Sequence, residues 1–485
     1  MSTSATGSHL GWFLKFSYSL GHVQNDLYAS MWFTYLLVFF NKVLLFDNTS
    51  AGVVLFIGQL ADGISTPLVG IFCDRGSNSS FLCARIGSRR AWHLIGTICV
   101  TLSFPFIWLP IPESFDTHLW AQILYYACFV VVFQFGWAAV QISHLAMIPE
   151  LSPSIHERTG LTAIRYGATV ISNITVSVIT WIFLGISTDG TALNPSHEDA
   201  FNDILIVVVS IGIVASLLFH ILVRRFSEDP PILNDDSAFV TEQNDQEIVK
   251  EVPFVPMGIR DWVKEPTFYL VGVMYMFTRL FVNLTQAYIP FYLSETLILP
   301  AVNIAIIPLV MFVSGFFVSF IMKCTNNRIG RKPTFIIGSI IGLVGCVMAY
   351  FDGGGTNFFI NYGIYAVAIL IGAGASVLLI TSLSLTSELI GANIESAAFV
   401  FGAMSLTDKL SNGLAVVMIQ TYVPDPLNLI SSKDFYRTVL TFVGGGSALS
   451  AGIALLLLAP FTLSRRRKQP VEDSQHISDH DVINC

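Results

Sequence analysis

Apolar runs long enough to cross about 30 Å of hydrocarbon recur twelve times along the chain, with polar residues set inside only some of them. The pattern predicts helices near 12–40, 51–73, 92–110, 119–148, 160–187 and 202–223, and a second set near 266–292, 301–323, 334–351, 358–386, 392–420 and 436–461. Between the sets lies SEDPPILNDDSAFVTEQNDQEIVKEVP (227–253), acidic, polar and Pro-containing, the composition of a solvated linker. The expected architecture is an all-α polytopic membrane protein with twelve transmembrane helices in two six-helix bundles. The bundles are residues 1–223 and 266–463, joined by a linker at 224–265 and followed by a tail at 464–485. Several runs exceed 25 residues, so tilt or extension past the bilayer is expected.

Composition removes the soluble alternatives. Of 485 residues, 53% are hydrophobic and only 12% charged, about half the charge of a soluble domain. An ordinary soluble enzyme, a disordered chain and a nucleic-acid binder are thereby excluded. The seven cysteines show neither metal spacing nor a pairing framework. Residues 1–9 lack a basic cluster, and the apolar stretch after them contains Lys15, His22, Asn25 and Asp26, so no secretory leader is expected.

Charge distribution sets orientation. Eighteen of the 25 Lys and Arg residues lie in the loops after the even-numbered helices and in the tail. Only Lys42, Lys433 and Arg437 lie in loops on the opposite face; Lys15, Arg165, Arg279 and Lys409 lie within helices. The positive-inside rule then places both termini and the linker in the cytosol. A short RIG-x-[RK] element occurs twice, at Arg85–Arg89 after helix 2 and Arg328–Lys332 after helix 8. An internal repeat of six helices suggests a transporter whose halves rock around a central site.

Ionisable groups within helices are costly in lipid and should face a cavity or a partner. Asn25 and Asp26 in helix 1, Asp62 in helix 2, Gln141 in helix 4, Arg165 in helix 5, Arg279 and Asn283 in helix 7, and Lys409 and Asn412 in helix 11 are the expected substrate-binding or coupling residues. The deep set is neutral in sum, with Asp26, Asp62 and Asp408 against Arg165, Arg279 and Lys409. That balance suits a low-dielectric cavity and an amphoteric cargo, and it equally suits pairs that only lock helices together. Asp26 and Asp62 are expected to link transport to a proton or to select a protonation state of the cargo, with His22 and His144 as relay candidates and His144 alternatively a helix-contact cap. Asp74, Arg75, Arg89 and Arg90 at one membrane edge, with Arg328 and Arg331 in the second half, are the expected gating residues. No Walker motif, dinucleotide-binding Gly pattern or zinc motif occurs, so neither ATP drive nor a metal or other cofactor is expected.

The ND string of helix 1, DGxSTPLVGxxxDR in helix 2, MIPEL ending helix 4, ERxxLTAxRY entering helix 5 and the half-repeat together resemble the major facilitator superfamily, and within it the glycoside–pentoside–hexuronide:cation symporter branch. The resemblance spans all twelve helices. It matches the branch's helix-1 aspartate to Asp26, the first helix-2 aspartate of its cation site to Asp62, the helix-5 arginine to Arg165 and the helix-11 lysine to Lys409. Thr66 and Gln141 stand where the branch carries further carboxylates, and Leu145 where it carries the aromatic residue that stacks on sugar. Hard cations need several oxygen ligands, so these departures count against a sodium site and against sugar. Segments such as NDLYASMWFTYLL (25–37) and IPLVMFVSGF (307–316) resemble a vertebrate lysosomal and melanosomal member of the branch. That likeness implies L-cysteine import from cytosol to organelle, with sugar:cation symport and a non-transporting scaffold or sensor as alternatives. EDPPIL (228–233) resembles an acidic dileucine sorting signal built on Glu228, Ile232 and Leu233, which implies a cytosolic sorting adaptor as partner.

Overall fold

The computed structural model describes residues 11–74, 86–111, 118–151, 155–187, 191–228, 257–352, 356–391, 393, 396–424 and 429–461. Among them, twelve long helices follow the predicted order. In the first half these are α1 (Trp12–Thr34), α2 (Asn48–Asp74), α3 (Ser88–Trp108), α4 (Leu119–Ala146), α5 (Ile155–Ser187) and α6 (Glu198–Glu228). In the second half they are α7 (Pro266–Phe291), α8 (Asn303–Ile329), α9 (Arg331–Tyr350), α10 (Ile364–Ile390), α11 (Ala397–Thr421) and α12 (Lys433–Leu458).

Ten of the twelve are long and apolar enough to cross a membrane, α1 and α11 being the exceptions. Both have the length, at 23 and 25 residues. What they lack is apolar composition, because their buried positions include Ser17, His22, Gln24, Asn25, Asp26 and Ser30 in α1, and Asp408, Asn412 and Gln420 in α11. These side chains are covered by protein. α1 packs on α5, α6 and α7, and α11 on α2 and α7. The lipid belt is carried by exposed apolar residues such as Leu102, Ile186, Ile206, Phe317, Phe320 and Leu456, and on α11 by the stripe Leu406, Leu410, Leu414 and Met418.

The internal repeat has a backbone counterpart. Gly87 and Gly330, the glycines of the two RIG elements, have φ of 87° and 88° and each is the N-cap of the next helix, α3 or α9. A side chain at that φ is strained, so glycine belongs at both turns. The first helices of the halves match as well. α1 and α7 both run into π-helical segments, Phe39–Val43 and Tyr292–Thr296, and then reach Leu45 and Ile298 with φ of 54° and 52°. In the register that aligns these features, Lys42 corresponds to Glu295, Ser30 to Asn283 and Asp26 to Arg279.

The halves pack together at the end away from the basic loops. The large core of the first half takes in Leu284, Tyr288, Phe291, Ala301 and Ile304 of the second, whereas the core of the second half is its own. Lys42 pairs with its counterpart Glu295 at 2.7 Å, Asn41 bonds Gln420 at 3.1 Å, and Ala301 N–H reaches Thr191 O at 2.9 Å. Toward the basic end the halves diverge. A Cβ placed on Gly52 or Gly63 of α2 would touch α11, but one on Gly70, or on Gly402 of α11, would meet nothing within 4 Å among the described residues.

Close helix crossings within each half rest on glycine. A Cβ on Gly372 of α10 would overlap the Met311 carbonyl of α8. Gly372→Ala should therefore force the helices apart at a cost of about 1–3 kcal/mol, seen as a lowered unfolding midpoint in detergent. Gly70→Ala should leave the midpoint where it is or raise it slightly.

Candidate functional site

The polar face of α1 builds the first group. His22 and Asp26 are one helical turn apart, so their side chains meet, with Nδ1 2.9 Å from Oδ1. Arg165 of α5 donates from Nη2 to His22 Nε2 at 2.7 Å, and Thr169, a turn further along α5, donates to Asp26 Oδ2 at 3.0 Å. With a guanidinium donating to Nε2, the imidazole proton is assigned to Nδ1, facing the carboxylate. Asn25 points to another neighbour, donating to Trp137 O at 3.3 Å while its Oδ1 is buried without a partner. Gln141 accepts from Trp137 Nε1 at 2.9 Å on its own helix.

Behind this group lie more histidines than the sequence reading singled out. His144 is fully buried, bonded through Nε2 to Tyr18 O at 2.8 Å and stacked on the Tyr18 ring. His93 of α3 bonds Gly21 O at 2.9 Å and approaches His220 of α6 at 3.2 Å. His93 and His220 were missed although they obey the same signal, a titratable residue inside an apolar helix. Among the described residues, no three His, Cys, Asp or Glu side chains are set to hold a metal ion.

A second group crosses between the halves. Lys409 of α11 pairs with Asp62 of α2 at 2.8 Å and donates to Thr66 at 2.9 Å. Thr66 in turn donates to Asp62 Oδ1 at 3.0 Å, closing a triangle of ammonium, carboxylate and hydroxyl. The neighbouring Asp408 points the other way, as consecutive helix positions must. Its Oδ2 accepts from Arg279 Nε at 2.9 Å, and Asn412 donates to its carboxylate and, at 2.9 Å, to its backbone carbonyl. The neutral sum seen in the sequence is thus realised as local partners: Asp62 with Lys409, Asp408 with Arg279, and Asp26 with Arg165 through His22.

Between α1 and α5 on one side and α7, α8 and α10 on the other is a cavity of about 230 Å³. Ser30, Thr169, Asn173, Arg279, Asn283 and Gln286 supply most of its polar lining, beside Phe33, Tyr166, Met311, Phe312 and Phe316. Of the expected substrate residues, Arg279 and Asn283 are in this lining. Asp26 reaches it through Thr169. Asn412 lines a small adjoining pocket with Asn283. Asn25, Asp62, Gln141, Arg165 and Lys409 are in neither lining.

The expected gating residues are dispersed. Arg89 donates to Ala146 O, and Arg331 pairs with Glu388 at 2.9 Å, each bond staying within one half. Arg90 lies in the first turn of α3, and Arg328 is exposed in the last turn of α8. Asp74 and Glu228 end α2 and α6, their side chains outside the described set; Arg75, Ile232 and Leu233 lie outside the described residues altogether. The Lys42–Glu295 pair, which does join the halves, was not singled out. Nothing in the sequence marked two oppositely charged loop residues as pseudo-symmetric partners.

Two related six-helix halves around a central cavity that carries polar side chains from both define a transporter of the major facilitator fold. The same fold is seen in the inward-open xylose transporter XylE from E. coli, which superposes with a TM-score of 0.60 at 14% identity over 92% of this chain and 95% of that one. Residues 17–424 match the family model described as MFS/sugar transport protein. The chain is 42% identical to "Major facilitator superfamily domain-containing protein 12" of Mus musculus, over 94% of this chain and 95% of the relative, and equally identical to that of Homo sapiens, over 93% and 94%. The chain belongs to the MFS/sugar transport family of the major facilitator superfamily.

Proposed function

We propose that this protein is a secondary transporter that carries L-cysteine from the cytosol into lysosomes and melanosomes by alternating access, with a proton as the coupling ion. The observation that carries the reading is the central cavity, small, mostly apolar with polar side chains from both halves, and closed by inter-half contacts at one end while α2 and α11 diverge at the other. The positive-inside rule puts the diverging, basic end in the cytosol, together with both termini and the 224–265 linker that separates bundles 1–223 and 266–463. This state then faces the cytosol, and the Lys42–Glu295 pair is part of the lumenal gate. The acidic dileucine-like EDPPIL in the linker supplies the route to the organelle through a cytosolic adaptor.

Several features favour a small amphoteric cargo over sugar with sodium. Thr66 stands in place of a branch carboxylate, and both Thr66 and Asp62 are engaged by Lys409 Nζ, which leaves a sodium ion few oxygen ligands. Gln141 is engaged by Trp137. The purified full-length chain in sealed vesicles should take up labelled cysteine saturably, with equal rates in sodium and in choline buffer. Transport of xylose or melibiose without cysteine would overturn the reading in favour of sugar symport, and transport of none of them would favour a scaffold.

A further inference from the structure

The cavity carries an arrangement that goes beyond a small polar hole. Arg279 is the one charged residue in its described lining. Only its Nε is engaged, by Asp408 at 2.9 Å; among the described residues Nη1 and Nη2 have no partner. A guanidinium held from the side in this way keeps its two-pronged end for a planar anion. Ser30 and Asn283, at corresponding positions on α1 and α7, also line the cavity. Ser30 is buried and its Oγ has no hydrogen-bond partner among the described residues, an unmet hydrogen bond that a ligand in the cavity would satisfy once the hydroxyl turns toward it.

The pseudo-symmetry adds a direction. Asp26 and Arg279 also correspond, so the two halves bring opposite charges to matching depths. Arg279 faces the cavity directly, whereas Asp26 is separated from it by Thr169. No carboxylate belongs to the described lining.

We infer that the cavity is a site for the carboxylate of an α-amino acid, held end-on by Nη1 and Nη2 of Arg279, with the ammonium turned toward Ser30 and Thr169 on the first half. Asp408, itself held by Asn412, is the positioning residue that fixes the guanidinium. The anchoring group is thus the carboxylate, and the ammonium is met by neutral oxygens backed by Asp26 rather than by a direct ion pair. Because one end of the zwitterion is bound by each half, occupancy ties the halves across the cavity. The inference rests on the reading of the cargo as a small amino acid and adds which of its groups is recognised, and where.

The test measures the unfolding midpoint of the purified full-length protein with cysteine, with cysteamine, which lacks the carboxylate, with 3-mercaptopropionate, which lacks the ammonium, and with xylose. A ligand that binds only the folded protein raises the midpoint, by an amount that grows with the logarithm of its concentration over its Kd. Cysteine should stabilise at the lowest concentration, and cysteamine should need about tenfold to a hundredfold more, as expected for a lost charge-assisted hydrogen-bonded pair. Arg279→Gln combined with Asp408→Asn leaves no lone charge and should fold; in it the preference for cysteine over cysteamine should vanish. Arg279→Lys keeps the charge without the fork and should weaken cysteine binding while the protein stays folded. Equal stabilisation by cysteine and cysteamine would overturn the carboxylate anchor and leave cysteine as cargo. Stabilisation by 3-mercaptopropionate but not by cysteine would support the anchor and overturn the cargo. A response to xylose alone, or to no carboxylate at all, would overturn both.

Discussion

Asp62→Asn should destabilise the protein more than Asp62→Asn and Lys409→Gln together. The two side chains are each 12% exposed and meet at 2.8 Å between α2 and α11. Removing the carboxylate alone leaves an ammonium buried against Thr66 without a counter-ion, a change that costs about 3–5 kcal/mol in buried pairs. Replacing both ions by neutral hydrogen-bonding groups removes the lone charge, and such exchanges are often close to neutral. The unfolding midpoint in detergent should therefore fall sharply for Asp62→Asn and recover in the double variant. Transport should fail in both, because the pair joins the two halves and must be available to break and re-form as they rock. Equal midpoints for the single and double variants would show that the ion pair is not what holds this contact. Normal transport by the double variant would show that it has no part in the cycle.

The second large effect is expected at Asp26. This carboxylate is 4% exposed and meets the His22 ring, on which Arg165 bears from the opposite side, and the Thr169 hydroxyl that continues to the cavity. With Asp26 ionised and His22 neutral, the three side chains sum to zero; one added proton makes the group cationic beside the cargo. The titratable groups next to it on neighbouring helices are His144 on α4, whose ring centroid is 5.6 Å from that of His22, and behind it His93 on α3, which in turn meets His220 on α6. In vesicles, Asp26→Asn should abolish accumulation driven by a pH gradient while leaving exchange of labelled for unlabelled cysteine measurable. His22→Gln keeps an amide to donate to Asp26 and removes the ring between Asp26 and Arg165, so the response of uptake to an imposed pH gradient should weaken. Gradient-driven accumulation by Asp26→Asn at the wild-type level would remove this group from the coupling.

Both predictions began as a property of the sequence, the presence of ions within membrane-length helices, and both took their content from the packing. Lys409 and Arg165 were expected to face the substrate, yet the described cavity is lined by neither. Lys409 is spent on Asp62 and Arg165 on His22. Arg279 and Asn283 do line it, although the sequence offered no reason to rank them above the other two. The histidines behind α1 show the same limit. His22 sits in a polar string and His144 close to Gln141, whereas His93 follows the basic start of α3 and His220 lies in an apolar run of α6, and the two gain significance only when α3 and α6 bring them within 3.2 Å.

By itself the sequence determined the number, order and approximate bounds of the helices and the internal repeat. These follow from local physics: hydrocarbon thickness sets the length of an apolar run, and glycine marks turns of positive φ such as Gly87 and Gly330. It also determined that buried ions would have to be matched, since an unmatched charge is too costly in a low dielectric. Which ions match was decided only by the tertiary structure. A partner within reach depends on helix rotation and depth to a few ångströms, and residues 343 positions apart in the chain, such as Lys409 and Thr66, leave no local trace of their meeting. The same holds for Lys42 and Glu295, whose pairing depends on two halves facing each other across a pseudo-two-fold axis.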